Sequence, residues 1–185
     1  MTSSLTKLPP ELEVALAALV LVAAVFDVRL SRIPNWLCAT GLVLGLVLSF
    51  RFTQFAGLRQ AGLGVLLALA VYFPLFALRA MGGGDVKLMA AIGALAGPSN
   101  WFIIFVLTAL FGGVFAILLL AIRGGLVQAF RNVATILIEL VHLRPPHRTD
   151  STLDIAHPSA VTLPHAISIC AGTLVFLWFL TLKAP

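Results

Sequence analysis

Two carboxylates in this chain stand where carboxylates are least welcome. Only seven of the 185 residues are Asp or Glu, yet Asp27 and Asp85 both border strongly apolar segments. A charge at the centre of a membrane helix costs about 2.5–3.5 kcal/mol on insertion scales, so acids in such places point to a functional site. The chemistry available to a pair of them is acid–base hydrolysis. At about 4 Å and an effective dielectric near 20, like charges repel by roughly 4 kcal/mol, which separates the two proton losses by about 3 pH units. One carboxyl is then ionised while its neighbour keeps its proton over a wide range. The ionised one takes a proton from water, and the protonated one donates to a peptide carbonyl oxygen as the tetrahedral intermediate forms. That scheme needs neither a metal nor a nucleophilic side chain.

The neighbours of each acid fit this reading. Asp85 follows Gly82-Gly83-Gly84. Three glycines in a row disfavour helix, permit backbone angles closed to other residues and leave room for a substrate strand. Each aspartate has a cation two residues on, Arg29 and Lys87, which could favour the ionised form of the pair or contact acidic groups of a substrate. Structural readings compete: Asp85 before an apolar helix is also what an N-cap looks like, and Asp27 before Arg29 also marks a membrane boundary.

The elements that must position these residues follow from composition. The chain is 61% hydrophobic and 10% charged, against about 25% charged residues in soluble domains, and so reads as an all-α, polytopic membrane helix bundle forming one integral-membrane domain over residues 1–185. The formal charge of +5 does not suggest nucleic acid, because the cations are spread thinly between apolar spans with no basic face. Cys38 and Cys170 lie far from any second ligand and read as packing residues. His142, His147 and His157 show no metal-ligand spacing, and Ser and Thr lack a paired His–Asp arrangement.

A crossing helix takes roughly 17–25 residues. Apolar runs over 13–30, 36–50, 61–78, 101–122 and 159–180 are candidate spans, with 51–60 a polar turn. A further segment, 86–96, is short for a full crossing and ends at the turn Gly97-Pro98-Ser99-Asn100. The count is about six crossings. Residues 126–143 carry Leu126, Phe130, Val133, Leu137 and Leu140 on one side and Gln128, Asn132, Thr135, Glu139 and His142 on the other, the pattern of a cytoplasmic interfacial helix. With six spans, eight cations fall in the odd-numbered loops and four on the other side. The positive-inside rule then puts the odd loops, and with them Asp27 and Asp85, at the cytoplasmic face.

The run Gly82-Gly83-Gly84-Asp85-Val86-Lys87-Leu88, with Asp27 upstream and followed by Arg32-Ile33-Pro34-Asn35, resembles the type IV prepilin peptidase family, the GxGD class of membrane aspartyl proteases. Leu163-Pro164-His165-Ala166-Ile167 is similar to the family's final span, with His165 where an aromatic is expected. The resemblance implies that Asp27 and Asp85 are the catalytic pair, that Gly82, Gly83, Gly84 and Lys87 shape the loop or bind substrate, and that the substrates are pilin-like precursors cleaved at the cytoplasmic face of the bacterial inner membrane. Other pilus-assembly proteins are implied as partners. The chain lacks the cysteine-bearing insert of larger members, which also methylate the new N-terminus. It is similar to the short, peptidase-only form of tight-adherence (Flp-type) pili, for which no S-adenosylmethionine or other cofactor is implied. Two other functions compete. A proton- or ion-coupled transporter would place acids near the midplane within an inverted repeat, and the chain shows neither. A non-catalytic scaffold for pilus assembly would make both aspartates dispensable.

Overall fold

A computed structural model describes residues 7–78, 81–123 and 165–182. The interfacial helix expected over 126–143, the polar loop after it, His142, His147, His157 and the beginning of the last span lie outside the described residues. Those described form four helices: α1 (Pro10–Leu30), α2 (Asn35–Ala77), α3 (Gly83–Arg123) and α4 (His165–Leu182). Prolines set the first two starts. Pro9 and Pro34 precede α1 and α2 in extended conformation, where the lost N–H is one the first turn would leave unpaired anyway.

Both long helices are broken once. In α2 the break is at Thr53 and Gln54, the latter at φ 53°, and the chain doubles back there. Ser49 and Gly57 would be about 12 Å apart in a straight helix, yet a Cβ on Gly57 would fall on the Ser49 carbonyl oxygen. In α3 the break is Gly97, at φ 72° and ψ 172°. Trp101 folds back so that its indole N–H donates to the Met89 carbonyl, 3.0 Å away and 12 positions upstream. The turns expected over 51–60 and 97–100 are therefore much shorter than the sequence suggests. Helix runs to Phe52 and resumes at Phe55, and Gly97 alone leaves helical angles within α3. Polar side chains near a turn mark its neighbourhood, whereas the turn itself takes only the one or two residues whose angles change.

The short first half of α3, 83–96, is the axis of the bundle. Leu88, Met89, Ala91, Ile92, Ala94 and Leu95 are at most 2% exposed, so this segment is apolar on all sides because it is surrounded. Small residues let neighbours approach it: Gly45 meets Ala94, Gly64 meets the backbone of Gly93, and Gly41 meets Leu19 and Ala91. Farther along, Gly172 of α4 packs on Thr108. Close backbone approach through small residues is how helices associate in lipid, where apolar burial drives little. Large apolar side chains point outward instead, among them Val14, Phe55, Leu66, Val114 and Ile122. Helices α2, α3 and α4 are long and apolar enough to cross a membrane. Helix α1 carries Glu11, Glu13, Asp27 and Arg29 within its 21 residues.

Candidate active site

Asp27 lies in the last turn of α1. That helix ends because Ser31 turns left-handed at φ 50°, its N–H closing on the Asp27 carbonyl oxygen at 2.8 Å. Arg32, Ile33 and Pro34 then lead directly into α2. The corner is braced by Phe26 and Trp36, whose rings meet edge to face at 6.0 Å. Asp85 approaches from the other side, in the first turn of α3.

The two acids line a single open cleft of about 900 Å³. One wall is the α1–α2 corner, from Asp27 and Leu30 to Asn35. The other is Gly82, Gly83, Gly84 and Asp85. Both carboxyls are half-buried, reachable by water yet partly shielded from it.

The glycine run differs from the expectation. Gly83, Gly84 and Asp85 are helical, and among the described residues positive φ occurs at Ser31, Gln54 and Gly97. These glycines serve close approach: a Cβ on Gly83 would lie 3.2 Å from the Phe76 ring, and one on Gly84 would lie 3.3 Å from Ile33. Among the described residues, a Cβ on Gly82 would have only Asp85 Oδ2 within 4 Å, at 3.5 Å, and the residue stays open toward the cleft. Asp85, inside the first turn, is not the N-cap that one structural reading offered.

The Lys87 ammonium donates to Asn35 Oδ1 at 2.8 Å, tying the start of α3 to the start of α2 beside the cleft that Asn35 lines. Arg32 lines the cleft itself. His165 begins α4, and its Nε2 is buried without a hydrogen-bond partner among the described residues. Beside it, the N–H of Ala166 donates to Asp27 Oδ2 at 3.1 Å. No sequence signal could have found that contact, because a backbone donor has no side-chain signature. Among the described residues, no three His, Cys, Asp or Glu side chains gather as a metal site would need.

Fold and site thus define a helical membrane protein with a cleft walled by two aspartates. A family model for the type IV leader peptidase family matches residues 14–117, which contain both aspartates and both walls of the cleft. The chain belongs to that family of proteases. No curated protein and no solved structure matches it.

Proposed function

We propose that this chain is an aspartyl endopeptidase of the bacterial inner membrane that removes the leader from type IV, Flp-type prepilins at the cytoplasmic face, with Asp27 and Asp85 as its catalytic pair. The observation that carries this reading is the cleft on which both acids lie, open to water on a chain of this family. A water molecule held between the carboxyls loses its proton to the ionised one as its oxygen bonds to the scissile carbonyl carbon. The protonated carboxyl hydrogen-bonds the carbonyl oxygen and gives it that proton. As the diol collapses, the carboxyl that took the water proton gives it to the departing amine, a diol hydroxyl gives its proton to the other carboxyl and the C–N bond breaks, leaving one carboxyl protonated again.

The bundle is proposed to cross the bilayer six times, through 10–30, 35–52, 55–77, 83–96, 98–123 and 165–182. Three contacts support it. The end of the first segment and the start of the fourth share the cleft, the start of the second is bonded to the fourth through Asn35 and Lys87, and the start of the last touches the first through Ala166 and Asp27. With six crossings those ends all face one side, the side richer in Lys and Arg, which is the cytoplasm. A precursor with a basic leader and an apolar helix would lay its helix among the outer apolar side chains and its cleavage site in the cleft.

Co-expression with a type IV prepilin tests the reading. Asp27→Asn and Asp85→Asn are each expected to abolish the mobility shift of the cleaved precursor while the protein still inserts. Cleavage at the wild-type rate by either variant refutes the catalytic pair and favours a scaffold.

A further inference from the structure

The matched family region ends at residue 117, and α4 contributes nothing to the lining of the cleft, yet α4 makes a direct polar contact with one of the two acids. Ala166 is buried, and its N–H points at Asp27 Oδ2 from 3.1 Å. In the first turn of a helix this N–H has no intrahelical acceptor and is free to bind an outside group.

Asp27 needs such a donor for an electrostatic reason. It sits in the last turn of α1, where the partial negative charge of the helix C-terminus disfavours a carboxylate. Asp85 sits in the first turn of α3, where the helix end already favours one. The start of α4 offsets the handicap with a hydrogen bond and with its own positive end. We propose that the Ala166 N–H is a positioning group that orients the Asp27 carboxyl in the working site, which makes α4 a third structural component of the active centre. The proposal rests on the catalytic reading of Asp27.

Other charged or titratable groups around the two acids are Arg32 on the α1–α2 corner, Lys87 on α3, held by Asn35, the buried Cys38 thiol and Tyr72 hydroxyl of α2 and His165 on α4. His165, next to Ala166 in the chain, is the side chain whose loss could imitate the effect. Its imidazole lies 3.9 Å from where a Cβ on Gly112 would be, in the α3–α4 contact.

The test is the steady-state kinetics of cleavage, kcat against KM, measured on the full chain in detergent with a type IV prepilin as probe. Ala166→Pro deletes the N–H at a helix position that tolerates proline. An ester in place of the His165–Ala166 amide, introduced by nonsense suppression with lactic acid, deletes it without a ring. Hydrogen bonds to charged groups contribute about 1.5–3 kcal/mol. Losing this one is expected to lower kcat by roughly tenfold to a hundredfold with KM unchanged. Ala166→Gly, which keeps the N–H, is expected to lose far less than the ester, and His165→Phe is expected to leave kcat within severalfold of wild type.

If the proline variant fails to accumulate, the ester decides. A wild-type kcat in the ester protein, a loss carried by KM instead, or an equal loss in His165→Phe alone overturns the proposal. Asp27→Asn separates the two readings. If it is inactive while the ester protein behaves as wild type, the positioning role falls and the catalytic pair stands; if it is active, the catalytic pair falls.

Discussion

At the scale of single residues, the site divides its work between the acids and the groups that hold them. In the proposed mechanism, replacing either aspartate by asparagine removes acid–base chemistry of the kind that contributes about 10²–10⁴-fold to rate. Because each acid depends on the other, the double variant is expected to be no slower than the singles, as for residues acting as a unit. Single-turnover cleavage by the three proteins checks this, and an additive loss would argue for independent roles. Lys87 belongs to the second group. Its bond to Asn35 Oδ1 is exposed, so Lys87→Met is expected to cost less than about 1 kcal/mol of stability. It unties the two lips of the cleft, and a severalfold rise in KM at nearly constant kcat is the expected result. An unchanged KM would show that the tie does not shape substrate binding. The type and spacing of Asp27, Asp85 and Lys87 made them visible in the sequence. The partner of Lys87 did not show, since 52 positions separate it from Asn35 and only the folded arrangement brings them together.

At the scale of elements, the bundle depends on where side chains are missing. A Cβ on Gly64 would fall on the Gly93 carbonyl oxygen, whereas one on Gly62 meets nothing within 4 Å. Gly64→Ala is therefore expected to force the second half of α2 away from α3 and to destabilise by about 1–3 kcal/mol. Gly62→Ala should be neutral or stabilising by up to about 1 kcal/mol, through helix propensity alone. Thermal melting in detergent distinguishes them, and equal midpoints would deny the close crossing. The helices themselves were legible from apolar run length and from the turn at Gly97-Pro98. What was not legible is how abruptly the chain reverses. Around Gln54 the residues Arg51, Gln54 and Arg59 read as a polar loop, but tertiary packing of Gly57 on Ser49 keeps them helical up to a two-residue corner. The run Gly82-Gly83-Gly84 misled in the same manner: low helix propensity is a weak prior, and contacts with Phe76 and Ile33 override it.

For the molecule as a whole, sidedness is the property to measure. Ser31 and Arg59 are exposed, while the native Cys38 and Cys170 are 4% and 8% exposed and give a quiet background for thiol labelling. Ser31→Cys is expected to react with a charged maleimide in inside-out vesicles and Arg59→Cys in right-side-out vesicles; the reverse pattern would put the cleft outside. The cation count suggested this orientation because positive charge resists translocation wherever the loops fold. The joining of α1 to α4 was beyond its reach, since it runs through a main-chain amide. That join also bears on the order of events during synthesis. Asp27 leaves the ribosome early, but its donor Ala166 is made 139 residues later. A nascent chain carrying both aspartates would still lack the amide that steadies the first of them. Proteolytic competence would then wait for translation to pass α4, sparing the neighbouring nascent membrane proteins from a half-made protease.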